Sequence, residues 1–262
     1  VLQWRAVWDS PRPHVHPLHS PSGACLTADA PADHPWHHGL WFTIKFVDGD
    51  NFWEEVPPFG ALRTRRVTGA PATGIEAVID WVRPDGTVAV REQRRLTHRD
   101  LGTRFGTPAY AIDWAVRLVA EADVTYDRTP FTTWGGYGGL TLRGAPDWTD
   151  TRLLLPDGTP RDRVLGEPAP WCALDGRTDR GAAGILLGSH PTNPRSPVPW
   201  YASTRADTYG PGWANFLNAA FLWDAPLTVP ARTPLVLRHR LVVHDGTWGP
   251  DVCAEAYRAW VE

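Results

Sequence analysis

The stretch from Gly74 to Thr97 constrains the fold more than any other. Gly74 to Val82 reads Gly-Ile-Glu-Ala-Val-Ile-Asp-Trp-Val with partial alternation, and Thr87 to Thr97 returns as Thr-Val-Ala-Val-Arg-Glu-Gln-Arg-Arg-Leu-Thr. Between them, Arg83-Pro84-Asp85-Gly86 is a reverse turn, since proline presets φ and glycine accepts the positive-φ position. Two such runs joined this way predict a β-hairpin. Strand-like runs continue at Leu40 to Val47, Ala109 to Val124, Gly139 to Arg143, Arg152 to Leu155, Gly184 to Leu187 and Leu235 to His244. Only Asp251 to Glu262 reads as a helix, with Val252, Ala256 and Ala259 or Trp260 at helical spacing and Pro250-Asp251 to start it. The 26 prolines and 24 glycines are scattered between strands as turn punctuation. Many strands without alternating helices predict an all-β, antiparallel architecture. At 262 residues the expectation is one domain, a large two-sheet sandwich with a short C-terminal helix.

Composition narrows the partners. Hydrophobic residues make up 42% of the chain, enough for a substantial core, and a net charge of -3 creates no field that would gather phosphates. Nucleic acid and anionic membrane are therefore poor partners. No apolar run approaches the roughly 20 residues that span a bilayer. Cys25, Cys172 and Cys253 are few, odd in number and far apart, which excludes a disulfide framework or a cysteine-based zinc site and favours a reducing, cytoplasmic compartment. The fifteen tryptophans suit both an inter-sheet core and the flat faces of sugar rings.

Four segments could carry chemistry. His34 to Phe42 reads His-Pro-Trp-His-His-Gly-Leu-Trp-Phe, and with His14, His16 and His19 it places six of the ten histidines in the first 38 residues. Imidazole titrates near neutrality and is the commonest metal ligand, so the cluster points to acid/base chemistry or metal binding. Asn51-Phe52-Trp53-Glu54-Glu55 follows the turn Asp48-Gly49-Asp50, which brings its carboxylates toward the histidine loop. Adjacent residues of a strand face opposite sides, so at most one of Glu54 and Glu55 points into a shared site. Ser189 to Tyr201 holds four prolines and presents His190, Asn193, Arg195, Trp200 and Tyr201 as a stiff binding rim. Trp134-Gly135-Gly136-Tyr137-Gly138-Gly139 lacks the Lys-Ser/Thr of a phosphate loop. Its glycines allow close backbone approach, with Trp134 and Tyr137 lining a wall. No GxSxG is present, so a serine hydrolase is unsupported.

Taken in order, these segments resemble the PmoA-like family. The resemblance rests on His16-Pro17, Asp33 to Phe42, Asn51 to Glu55, Gly184-Ile185, His190-Pro191, Asn193-Pro194-Arg195, Pro199-Trp200-Tyr201 and Leu241 to Gly246. It covers nearly the whole chain. His38 stands where the family more often has Arg, and Tyr137-Gly138-Gly139 where a Lys-Glu-Gly-like turn is usual. The family's name echoes a methane monooxygenase subunit and is a poor guide to function. The resemblance implies a supersandwich like that of galactose mutarotase, and with it a carbohydrate ligand, on fold analogy alone.

The leading expectation is a carbohydrate-active enzyme using His/Glu proton transfer on a neutral sugar or glycosylated small molecule, as in mutarotation, epimerisation, lyase chemistry or glycoside cleavage. His34, His37 and Glu54 are the expected proton carriers. His16, His38, Trp41, Asn51, Trp53, His190, Asn193, Arg195, Trp200 and Tyr201 are the expected binding residues. Two alternatives stand beside it. One is a non-catalytic carbohydrate-binding protein. The other is a metal-dependent enzyme holding a divalent transition metal on His16, His34 and His37 or His38, where HxxH leaves an open position. His37, Glu54 and Trp200 are expected to open into one pocket.

Overall fold

The structure is a computed structural model that describes residues 2–130, 136–208 and 210–262. The expected hairpin pairs Gly74–Val82 with Val88–Gly102 in antiparallel register, from Ile75 opposite Leu96 to Val82 opposite Val88. At its turn the Gly86 N–H donates to the Arg83 carbonyl (2.9 Å), and Gly86 takes φ +88°.

The hairpin lies in an eight-stranded sheet of order Thr149–Leu154, Trp171–Thr178, Gly181–Ser189, Leu235–Asp245, Ala109–Val119, Val88–Gly102, Gly74–Val82 and Ala61–Ala70. A seven-stranded sheet runs Trp4–Val7, His14–Leu18, Leu40–Thr43, Gly139–Arg143, Phe216–Ala219, Val198–Ser203 and Arg163–Ala169. A small third sheet joins Leu227–Val229, Val124–Asp127, Phe46–Val47 and Asp50–Asn51. All pairings are antiparallel. The all-β, antiparallel expectation therefore holds, and so does the C-terminal helix, at Pro250–Val261 with proline in its first turn.

Period-two alternation builds the core. Leu40 and Phe42, Leu140 and Leu142, and Trp200 and Ala202 send their side chains from the seven-stranded sheet into one apolar cluster. Ile79, Trp81, Ile112, Trp114, Leu237 and Leu241 meet them from the eight-stranded sheet. The helix covers the other face of the eight-stranded sheet, with Cys253 and Ala256 packed against Trp171, Leu186, Val242 and Trp248.

Two predicted strands are broken. Leu40 to Val47 splits at Ile44-Lys45: Leu40–Thr43 stays in the seven-stranded sheet, while Phe46–Val47 enters the small one. The chain bends there because Lys45 and Thr43 bond to Phe52, through Phe52 N–H to Lys45 C=O (2.9 Å) and Thr43 Oγ1–H to Phe52 C=O (2.8 Å). Ala109 to Val124 divides likewise, and Val124–Asp127 joins the small sheet.

Alternation also carries charge inward. On Val88–Gly102, Val90, Glu92, Arg94 and Leu96 are buried while Arg91, Gln93 and Arg95 are exposed. The Arg94 guanidinium donates to Glu92 (2.6 Å) and to the Pro13 carbonyl (2.6 Å), and lies over the Trp114 ring. Trp81 Nε1–H donates to the other Glu92 oxygen at 2.8 Å. Removing one partner of a fully buried pair strands the other charge, at a cost of about 3–5 kcal/mol. Arg94→Ala should lower unfolding free energy by that amount in urea titrations. The apolar double variant Glu92→Leu/Arg94→Met should recover most of it. Equal losses in both would show that packing, not charge, is at stake.

His239 also faces this core, and burial lowers its pKa to about 3. An unfolded chain's histidine, near 6.5, binds a proton that folded His239 refuses as pH falls from about 6.5 toward 3. Its contribution is present above that range and is lost in acid. Replacing His239 by Leu should flatten the decline of the unfolding free energy between pH 7 and 4, measured by urea titration, by up to about 1.4 kcal/mol per pH unit. An unchanged slope would place the acid sensitivity elsewhere.

A candidate active site on the outer face of the seven-stranded sheet

The face of the seven-stranded sheet turned away from the core carries a cross-strand row, His14–Trp41–Thr141–Asn218–Tyr201, set by successive pairings. Asn218 Nδ2–H donates to Thr141 Oγ1 at 2.8 Å, so the middle of this floor is a satisfied polar pair.

The histidine loop stands above the floor. His34 accepts the His37 N–H on its carbonyl (2.9 Å), which turns the chain and stacks the two imidazoles with centroids 4.6 Å apart. Asp33 Oδ2 meets both His34 Nδ1 (2.8 Å) and Arg143 Nη2 (2.9 Å). Gly39 ends the loop at φ +53°, where a Cβ would come within 2.4 Å of the Val15 carbonyl, so the glycine of the motif is sterically required. Asn51 orders the facing segment: its Oδ1 accepts the Trp53 and Glu54 N–H groups (2.9 and 3.2 Å), and its Nδ2–H donates to the Glu54 carbonyl.

These elements enclose a cavity of about 210 Å³ lined by His34, Trp36, His37, Trp53, Glu54, Tyr137, Tyr201 and Phe216. Its wall is a closed circuit of ring contacts. His37 touches Phe216 (5.3 Å between centroids), Phe216 touches Tyr201 (5.5 Å), and Tyr201 touches Tyr137 (6.0 Å). Tyr137 then touches Trp53 (4.7 Å), which returns to His37 (6.3 Å). Behind the wall Trp41 is fully buried against His37 and Trp53. Glu54 enters this aromatic cup paired with Lys45.

Electrostatics separates the roles. Burial, with the charges of His34 and Arg143 nearby, holds the His37 pKa well below the ordinary histidine value. Its Nδ1 is buried with no hydrogen-bond partner among the described residues. Burial, aided by the Glu54 charge, pushes the Tyr137 phenol up to about 12, so it remains a donor. A neutral imidazole, a carboxylate and a phenol thus face one small, largely apolar space.

Glu55 points the other way, across the bend at Trp53-Glu54 that follows the short strand Asp50–Asn51. It accepts from His38 Nε2 at 2.9 Å, while His38 Nδ1 meets Asp29 Oδ1 at 2.7 Å. Burial opposes charge on His38, but its hydrogen bonds to Asp29 and Glu55 raise its pKa overall. Burial also opposes charge on Asp29, yet its contact with His14 and its hydrogen bond to His38 hold its pKa below the carboxylate range.

The expected proton carriers His34, His37 and Glu54 therefore share the cavity with Trp53 and Tyr201, and Asn51 positions two of them. Other expectations need correction. Trp200 does not open into the cavity: Val198–Ser203 is a strand, so Trp200 faces the inter-sheet core and donates to the Ala169 carbonyl (2.9 Å), while Tyr201 takes the cavity face. Arg195 is spent on the carbonyls of Phe221, Ala225 and Pro226 and orders that loop rather than a ligand. Asn193 bonds Ser189 and the Arg238 backbone, pinning the connection to the eight-stranded sheet. His190 lies beside Trp260 of the helix, away from the cavity. His16 bonds Thr27 (2.9 Å), and His38 sits between two carboxylates outside the cavity. The proposed metal set of His16, His34 and His37 or His38 is not assembled, because these side chains are divided between the two sides of the loop. Trp134 and Gly135 lie outside the described residues, whereas Tyr137 lines the wall as expected.

Phe216, Trp36 and Lys45 escaped the sequence reading. Phe216 carries no local signal, whereas Trp36 stands inside the histidine motif itself. Lys45 carries a signal too: it is the only lysine among 26 basic residues, and it is buried. Lysine presents a compact point charge where arginine presents a planar fork, so a lone lysine in an arginine-rich chain marks a site that needs the former.

No curated protein matches the chain significantly. Residues 1–258 match the model of the Family of unknown function (DUF6807). That match spans nearly the whole chain, and the protein belongs to this family.

Proposed function

We propose that the aromatic cavity binds a neutral carbohydrate or glycosylated small molecule and that Glu54, His34 and His37 exchange protons with it. The convergence of these three groups within one aromatic wall carries the reading. Flat ring faces suit the C–H faces of a sugar, while the hydroxyls find an acceptor in Glu54 and a donor in Tyr137. At about 210 Å³ the cavity lies below the roughly 300–1,000 Å³ of drug-sized sites, which suits one sugar ring rather than a chain. The resemblance to the PmoA-like family, which implies a galactose mutarotase-like sandwich, motivates the choice of a sugar as ligand.

The proposed chemistry divides by environment. Glu54, held against Lys45, accepts a proton from a ring carbon or hydroxyl. His37, neutral because it is buried, is a weak base whose protonated form is a strong acid, fit to return a proton to a ring or glycosidic oxygen. His34, stacked on His37 and anchored through Asp33 to Arg143, orients it.

Thermal-shift screening of mono- and disaccharides, followed by NMR of the products, tests the reading. Glu54→Gln and His37→Gln should each reduce turnover by about 10²–10⁴-fold while leaving thermal unfolding nearly unchanged. Wild-type turnover in both variants would sink the proton-transfer assignment. Stabilisation by a sugar without any product would favour the non-catalytic binding protein, and no response to any sugar would remove both readings. With protonated His37 required as the acid, the alkaline limb of kcat/KM should lie below the ordinary histidine range, because burial lowers its pKa. A limb near pH 6.5 would assign the titrating group elsewhere.

A further inference from the structure

On the opposite side of the histidine loop, we infer that His14, Asp29 and His38 form a binding site for a divalent transition metal of the zinc type. Their ligand atoms already converge. His38 Nδ1 and His14 Nε2 lie 2.7 and 3.5 Å from the same Asp29 oxygen. All three atoms fall within 4.8 Å of one another. Two imidazoles and a carboxylate are a donor set that zinc and its neighbours accept, with a fourth position left for water or ligand.

The surroundings of these rings point to a metal more strongly than the cluster itself. A metal-bound histidine characteristically donates its other N–H to a carboxylate or backbone carbonyl, which fixes its tautomer. Both rings have such a partner. His14 Nδ1 lies 2.8 Å from the Arg12 carbonyl, which makes that nitrogen the donor and turns Nε2 toward Asp29. His38 Nε2 lies 2.9 Å from Glu55. His14 is 4% exposed, and its Nε2, 3.5 Å from Asp29, has no hydrogen-bond partner among the described residues. A buried imidazole nitrogen without a partner is costly unless a ligand supplies one.

The backbone holds the set in place. Asp29 and His38 face each other across an isolated antiparallel bridge. The bonds Gly39 N–H to Ala28 C=O and Ala30 N–H to His37 C=O flank it (2.8 Å each). His14 belongs to the neighbouring strand His14–Leu18, opposite Trp41. Closing the ligand atoms onto an ion at about 2.0–2.2 Å takes rotation of the two imidazoles, with no change of fold. Asp29 is one-third exposed, so the open position is reachable from solvent. On binding, the Nδ1 proton of His38 leaves to solvent while its Nε2–H remains on Glu55. This site is independent of the carbohydrate reading, which uses other side chains.

The test uses untagged, chelator-stripped protein titrated with Co²⁺ by visible absorption and with Zn²⁺ by calorimetry. One equivalent should bind, with the d–d bands of a four- or five-coordinate Co²⁺ and no thiolate charge-transfer band. His14→Gln and Asp29→Asn should abolish stoichiometric binding. Glu55→Gln should weaken it by about 10–100-fold, and His34→Gln should leave it intact. Circular dichroism of each metal-free variant separates loss of ligands from loss of fold. Should His14→Gln fail to fold, Asp29→Asn and Glu55→Gln carry the test. Absence of stoichiometric binding to the folded protein, binding unchanged in the folded ligand variants, or a thiolate band assigning the metal to Cys25 would overturn the inference.

Discussion

Arg94 joins the two large sheets by hydrogen bonds, and the position of the candidate site depends on that junction. A guanidinium with no access to water must find acceptors and a counter-charge inside the protein. Arg94 finds them in Glu92 on its own strand, in the Pro13 carbonyl just ahead of His14–Leu18, and at longer range in the Phe42 carbonyl (3.4 Å) of Leu40–Thr43. Trp81 and Trp114 complete the shell. The strand that delivers Trp41 to the outer face is thereby fixed in height above the eight-stranded sheet. With Leu40 and Phe42 committed to the core, alternation leaves Trp41 no other direction.

The loops ahead of and behind that strand divide the polar groups. His37 and Glu54 go to the aromatic cavity; their neighbours His38 and Glu55 go to the cluster with His14 and Asp29. Two adjacent pairs of residues therefore serve two distinct environments. One is apolar and keeps its imidazole neutral. The other surrounds its imidazole with carboxylates and favours charge. Separating the proton affinities of neighbouring groups by environment is how one small region can offer both an acid and a base, or a base and a metal ligand. It also explains why density of histidine alone misassigns the ligands: His16, His34 and His38 are close in the chain, but they point to different partners.

Much of this was legible from residue types. The hairpin around Arg83-Pro84-Asp85-Gly86, the strands at Gly139 to Arg143 and Leu235 to His244 and the C-terminal helix follow from turn chemistry and periodicity, which are local properties. So does the prominence of His34, His37, Trp53 and Glu54, since imidazoles, carboxylates and indoles in short loops announce chemistry wherever they fold. The breaks at Ile44-Lys45 and after Val119 were not legible, because each depends on bonds outside the run itself: from Phe52 just beyond the next turn in one case, and from distant Arg232, whose N–H reaches the Ala120 carbonyl, in the other.

The sequence by itself determined an all-β chain with a helical end, and a loop rich in groups that move protons or bind metals. Tertiary structure alone decided which of those groups meet. Trp200 and Tyr201 are adjacent in the chain and equally aromatic, yet one fills the core and the other lines the cavity, because strand register assigns faces and register is set by pairing with Phe216–Ala219 and Arg163–Ala169. Phe216 reached the wall through its pairing with distant Arg143, and Asp29 reached His38 through an isolated bridge that folds nine residues of loop back on themselves. No local pattern encodes such contacts: they exist only once two sheets have closed on a shared core.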